Sequence, residues 1–163
     1  MGSEIAITGQ LRSYNKINNG KSKLYLTVFA KQVIDKEIIP NVNYIELEGY
    51  ICKPTIYRTT PFAREICDIL VAVNRAYNKS DYLPCIAWGK NAQILRNACV
   101  GEKIEITGRI QSRKYQKKMD DGEVLEKTAY EISICKLQFC GRDYNYKNEE
   151  ASEEIAGTID FLH

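Results

Sequence analysis

At 163 residues, 44% hydrophobic and 27% charged, the chain has the composition of a globular protein long enough to bury its own core. No signal peptide opens it and no apolar run is long enough to span a bilayer, so no membrane role is expected. The net charge of +2 hides a division: residues 1–38 carry 6 basic and 3 acidic groups, residues 39–140 carry 15 and 12, and residues 141–163 carry 2 and 6, so a body suited to polyanions precedes an acidic tail.

Glu4 to Ser13 alternates Ile5, Ile7 and Leu11 against Glu4, Thr8, Gln10 and Arg12, which is the period of a strand. Asn15 to Lys23 is polar with a central Asn-Gly, a turn signal. Leu24 to Ile34 is β-branched and aromatic and returns as a second strand. Two strands alone are marginal in water. Within the hairpin segment 1–38, residues 4–34 are therefore expected to pair with another barrel, in the same chain or in a second copy. Asp35 to Asn43, with Pro40, reads as a linker.

Tyr44 to Cys52 turns Ile45, Leu47, Gly49 and Ile51 to one side of a half-buried strand. Lys53 to Arg64, with Pro54 and Pro61, reads as a loop. Glu65 to Ala76 puts Cys67, Ile69, Val71 and Val73 on one strand face, and Tyr77 to Ser80 is a turn. Asp81 to Trp88 separates Leu83, Cys85 and Ala87 from Tyr82, Ile86 and Trp88. Lys90 to Cys99 spaces Ala92, Leu95 and Cys99 at helical intervals. A strand in Val100 to Lys118, a turn at Asp120-Asp121-Gly122 and a closing strand from Thr128 to Phe139 complete the pattern. Three strands, a helix and two strands match the oligonucleotide/oligosaccharide-binding (OB) barrel in count and order. The expected fold is all-β: a five-stranded OB barrel at 43–140 with a short helix between its third and fourth strands, and an acidic tail at 141–163.

One unit is written twice. Met1 to Ser13 reads MGSEIAITGQLRS and Val100 to Ser112 reads VGEKIEITGRIQS, an offset of 99. Leu24 to Val28 resembles Tyr130 to Ile134 at an offset of 106. The opening hairpin is thus expected to resemble the back half of a second OB domain.

The chemistry lies on polar faces. Thr107, Arg109, Gln111, Arg113 and Tyr115 share one face of their strand, and Lys114, Lys117 and Lys118 extend the charge. Tyr82 and Trp88 point the same way from a strand whose other face already supplies core residues. Tyr77 sits in a turn between Arg75 and Lys79. Rings interleaved with cations suit single-stranded nucleic acid, because bases stack on rings while cations follow phosphates. No helix or ribbon suited to reading a duplex groove is visible.

Residues 43–140 resemble the bacterial single-stranded DNA-binding proteins, a replication OB-fold family, through NYIELEGYICKPTIYRTTP, ICDILVAVNRAYNKSDYLPCIAWGKNA and VGEKIEITGRIQSRKYQ. The resemblance implies base stacking by Tyr77, Tyr82, Trp88 and Tyr115. It implies phosphate tracking by Arg58, Arg75, Lys79, Arg109 and Arg113, with Lys114, Lys117 and Lys118 beside them. It also implies a homo-oligomer in the cytoplasm, associated with the nucleoid, acting in DNA replication, recombination or repair with proteins of those processes as partners. The tail NEEASEEIAGTIDFLH departs from the family's flexible linker and Asp-x-Pro-Phe tip, which reads better as a short helix packing locally.

The six cysteines form no C-x-x-C pair and the single His163 is terminal, so neither a metal site nor a cofactor is read, and several cysteines fit inward strand positions as small apolar groups. No nucleophile–base pair or phosphate-binding glycine loop emerges, which argues against an enzyme. The competing readings are an RNA-binding or primosome-type accessory OB protein, and a structural protein that uses its barrel edges for assembly.

Overall fold

The computed structural model describes residues 5–18, 20–34, 42–118, 122 and 124–141. Residues 35–41 of the linker, Asp120-Asp121 of the turn, the acidic tail beyond Gly141 and the side chains of Lys117 and Lys118 lie outside the described residues. The elements are β1 (Ala6–Asn18), β2 (Lys21–Ile34), β3 (Ile45–Ile51), β4 (Ile56–Thr59), β5 (Glu65–Arg75), β6 (Lys79–Trp88), α1 (Lys90–Arg96), β7 (Lys103–Lys118) and β8 (Val124–Phe139).

β3 pairs antiparallel with β7, β7 with β8, and β6 with β5, while β8 runs parallel to β6 where Cys85 faces Ile132. β5 returns to β3 at Ala72–Tyr50, and that pairing closes a ring of five strands. Leu47, Ile51, Cys67, Ile69, Val71, Leu83, Cys85, Ala87, Ile104, Ile106, Ile132 and Ile134 fill it, with Ala92 and Leu95 of α1 covering one end. Those of β3, β5 and β6 are the alternating positions read from the sequence as one face of their strands, as period-2 strands around a closed core require.

Three expectations need correction. The loop Lys53 to Arg64 contains β4, a short edge strand paired to β5 from Ile56–Asp68 to Thr59–Glu65. Tyr57 alone of its four residues is half-buried and the other three are exposed, so it carries no strong hydrophobic period. α1 stops at Arg96 because Ala98 N–H bonds the Leu95 carbonyl in a tighter turn, which leaves Cys99 exposed beyond the helix. The closing strand begins at Val124 and carries a bulge at Cys135: Thr107 faces Lys136 but Gly108 faces Ile134. That extra residue lets Ile132 and Ile134 point inward together with Leu137 and Phe139, although the two pairs differ in parity.

The hairpin repeats this device. Thr8 faces Gln32 but Gly9 faces Ala30, so Lys31 is the bulged residue. A Cβ on Gly9 would lie 2.3 Å from the Phe29 carbonyl oxygen, and a Cβ on Gly108 lies equally close to that of Ser133. Gly9 and Gly108 keep the offset of 99, but Ala30 now matches Ile134, an offset of 104. The expected 106 is therefore corrected: the second strands align through their bulges. The Asn-Gly turn is tight, with Asn18 paired to Lys21 and Gly20 at φ 73.

β1 and β2 form a separate two-stranded sheet with no ladder to the barrel among the described residues. The hairpin docks on the barrel by one face. Leu11 and Leu26 pack against the barrel core. Ser13 N–H donates to Asp81 Oδ1 at 2.7 Å, and the Ser13 hydroxyl accepts from Tyr82 N–H at 2.6 Å. Ser13→Ala removes the acceptor and strands the Tyr82 amide; we expect about 1–3 kcal/mol less protection there. Hydrogen exchange at Tyr82 reads this out, and unchanged protection contradicts it.

Candidate nucleic-acid interface

Register places the proposed residues before side chains are considered. On the outer face of the barrel, Arg58, Ile66 and Trp88 form one row across β4, β5 and β6. Asp68, Ile86, Ser133 and Arg109 form the next, crossing to β8 and β7. Gln111–Glu131, Arg113–Ala129 and Tyr115–Lys127 continue along the β7–β8 hairpin. Tyr82 lies outward on β6, opposite Ala72. Trp88, Tyr115 and Tyr82 are 39%, 39% and 43% exposed. Tyr77 is almost fully exposed and adopts φ 63, beside Asn78 at φ 54, in the turn from β5 to β6. A tyrosine in the left-handed region is uncommon, and the turn that holds it projects the ring into solvent.

The cations are less free than the sequence suggests. Arg58 donates to Asp68 Oδ2 from both Nε and Nη2, at 3.0 and 2.8 Å. Arg113 Nε donates to Glu131 Oε1 at 2.8 Å, its Nη2 lies 3.8 Å from Asp68, and its guanidinium sits 6.0 Å from the Tyr115 ring centre. Gln111 Nε2 donates to the same Glu131 oxygen. Asp68 and the buried Glu131 thus orient two arginines on one wall, and Glu131 in turn needs Arg113, since a buried carboxylate is costly unless paired. Neither acid was singled out from sequence, because each meets its cation across strands.

Arg75 Nε lies 3.0 Å from Asp81 Oδ2 in an ion pair not aligned as a hydrogen bond. Lys114 pairs with Glu126 on the opposite face of the β7–β8 hairpin from Arg113 and Tyr115, so it stands apart from the main wall. Lys79 and Arg109 have no ion pair among the described residues. Phe62, in the β4–β5 turn, is 86% exposed and was also missed. Its signal was an aromatic directly after Pro61 in a stretch without apolar period.

Burial raises the thiols of Cys67 and Cys85 above their ordinary range, whereas Cys99 and Cys135 are exposed. A raised thiol is a poor nucleophile at neutral pH. A thiol-reactive dye should therefore label Cys99 and Cys135 in the native protein and reach Cys67 and Cys85 only in denaturant. Rapid native labelling of Cys85 would contradict the closed barrel. Glu48, Glu105 and Cys140 bring ligand atoms within 4.8 Å, but Lys103 Nζ lies 2.8 Å from Glu48 and supplies the opposing charge itself. Among the described residues no helix is long and apolar enough to cross a membrane.

A ring of five strands in this order, with a helix between the third and fourth and rings and guanidiniums on its outer wall, defines an OB-fold protein with an exposed aromatic face. Residues 42–140 match the single-strand binding protein family, and the chain belongs to that family. It is 35% identical over 82 residues to single-stranded DNA-binding protein 1 of Streptococcus pyogenes serotype M18, covering 46% of this chain and 63% of that protein. It is 34% identical over 82 residues to single-stranded DNA-binding protein 3 of Streptococcus agalactiae serotype V, covering 46% and 59%. The matches therefore span about three-fifths of those relatives. Among solved structures, wild-type single-stranded DNA binding protein from Thermus aquaticus superposes with a TM-score of 0.65 at 19% identity, over 85% of this chain and 59% of that one. A deletion mutant of it gives 0.65 at 18%, over 86% and 62%. These two likenesses establish the fold.

Proposed function

We infer that the chain binds single-stranded DNA without catalysis, stacking bases on Trp88, Tyr82, Tyr115 and Tyr77 and neutralising phosphates with Arg58, Arg109, Arg113, Arg75 and Lys79. One observation carries the reading: on an OB barrel of this family, Trp88, Tyr82 and Tyr115 lie exposed on the outer wall, with Arg58, Arg109 and Arg113 in or beside the same rows. Its place is then replication, recombination or repair, with the partner proteins of those processes, in the cytoplasm at the nucleoid. Because Arg58 and Arg113 already have carboxylate partners, they act as fixed, oriented charges. Such pairs lower the net charge DNA meets but spare it the ordering of free side chains.

Trp88 supplies the test. Poly-dT at low salt should quench its fluorescence, and log K should fall linearly with log salt, by about 0.7 per phosphate contacted. No quenching at low salt removes the proposal, and tighter binding of a matched RNA moves it to the RNA reading. Among the described residues the outer edges of β1 and β2 carry no further ladder, which favours assembly with a second copy. A monomeric mass by light scattering at micromolar concentration would contradict that assembly.

A further inference from the structure

The hairpin that docks through Leu11, Ser13 and Leu26 turns its other face to solvent. That face holds Gln10, Arg12, Tyr14 and Lys16 of β1 against Phe29, Thr27, Tyr25 and Lys23 of β2. By the offset of 99, Gln10, Arg12, Tyr14 and Lys16 occupy the positions of Arg109, Gln111, Arg113 and Tyr115 on the barrel wall. The repeat has conserved the kind of surface while exchanging which positions hold rings and which hold charges.

We propose that this outer hairpin face is a second binding surface for single-stranded DNA, with Tyr14, Tyr25 and Phe29 as stacking groups and Arg12, Lys16 and Lys23 as phosphate contacts. The proposal rests on the barrel reading for the class of ligand, and on four observations of its own.

First, Tyr14 and Tyr25 stack at 5.4 Å with planes 12° apart, and the Arg12 guanidinium lies 4.2 Å from the Phe29 ring centre. These contacts hold the three rings in place and cover one face of each, while Tyr14 and Phe29 remain about half exposed. Second, Lys16 and Lys23 are directly opposed across the hairpin. Like charges in that position repel, and a phosphate between them reverses the sign. Third, among the described residues Arg12 finds only Gln10 Oε1 at 2.9 Å as a hydrogen-bond acceptor, and its Nε has no partner there. Fourth, residues 5–34 contain five basic side chains and no acid, unlike the barrel wall, where Asp68 and Glu131 take up much of the charge. Rings, opposed cations and the absence of carboxylates together select a polyanion that also offers aromatic faces. The hairpin that carries this surface is anchored beside Tyr82 of the barrel through its docked face, where Tyr82 N–H bonds Ser13 Oγ at 2.6 Å.

Two readouts on the full chain separate this inference from the barrel reading. The probe is oligo-dT of roughly 30 nucleotides, about twice the upper site size of a single OB fold. Ultraviolet cross-linking followed by trypsin and mass spectrometry reports the hairpin, because peptides 13–16 and 24–31 carry its three rings. Trp88 quenching reports the barrel. We expect adducts on Tyr14, Tyr25 or Phe29. We also expect Lys16→Thr/Lys23→Thr, which removes a repulsion and so should fold, to lower the salt slope by about 1.4 with Trp88 quenching retained. Adducts confined to barrel peptides, or an unchanged slope, overturn the proposal and leave the barrel reading intact. Hairpin adducts without Trp88 quenching do the reverse. A dimer by light scattering whose hairpin peptides stay unlabelled overturns it in favour of a second copy seated on this face.

Discussion

Trp88→Ala combined with Tyr115→Ala should weaken oligo-dT binding by about 2–6 kcal/mol, taking about 1–3 kcal/mol per stacked base. That corresponds to roughly thirtyfold to twenty-thousandfold in affinity. The two rings belong to different strands and different rows of the wall, so their losses should nearly add. Neither is in the core, and about two-fifths of each is exposed, so the variant should keep the melting transition of the parent. Anisotropy with a labelled oligonucleotide supplies the affinity, since the Trp88 signal is lost. Unchanged affinity in a folded double variant would clear both rings of a role and leave the charges alone to explain any binding. Tyr115→Ala has a second effect to separate, because its ring lies beside the Arg113 guanidinium. Tyr115→Leu keeps apolar bulk without a ring, and should be almost as damaging if stacking is the cause.

The largest effect on stability is expected from Gly108→Ala. Its Cβ would lie 2.3 Å from the Ser133 carbonyl oxygen, 3.1 Å from that carbonyl carbon and 3.2 Å from Ile132 Cγ2. The obstacle is backbone, on the bulged strand β8, and β8 is held on both sides by β7 and β6. It cannot withdraw without breaking ladder bonds. Overpacking of this kind costs about 3 kcal/mol or more, which lowers the melting temperature by roughly 10 °C or more. Gly9→Ala makes the same 2.3 Å contact with the Phe29 carbonyl, but β1 and β2 pair with nothing else among the described residues and can splay apart. Thermal unfolding followed at Trp88, a barrel reporter, should therefore shift for Gly108→Ala and barely move for Gly9→Ala. Equal shifts would mean that the hairpin and barrel unfold as one unit.

Local physics explains how much was legible without coordinates. A strand with one face in the core must alternate, so Ile45, Leu47 and Ile51, or Cys67, Ile69 and Val71, announce both the element and its inward side. The Asn-Gly turn is equally local, since Gly20 at φ 73 is what the reversal between Asn18 and Lys21 requires. Because Tyr82 and Trp88 share a parity opposite to Leu83, Cys85 and Ala87, their outward placement was also readable, and the internal repeat pointed to the opening hairpin.

What escaped depends on partners distant in the chain. β4 is a strand only because β5 offers an open edge; Tyr57 alone of its residues packs toward the core, too little to reveal it. The Cys135 bulge became visible only when Gly108 was paired, since a parity change inside β8 looks from sequence like a broken pattern. The ion pairs of these cations escaped for the same reason. Asp68 lies ten residues from Arg58 and Glu131 eighteen from Arg113, so strand register rather than sequence neighbourhood brings each acid to its cation. Ser13 meets Asp81 at a separation of 68 residues, and no local rule anticipates that contact. The sequence by itself determined which residues face inward, where the chain turns and which rings stay outside, because period and turn chemistry act over a few residues. Only the tertiary structure decided which carboxylates hold the arginines, where the extra residue is absorbed and which face of the hairpin is left open, because those depend on closing the ring of strands.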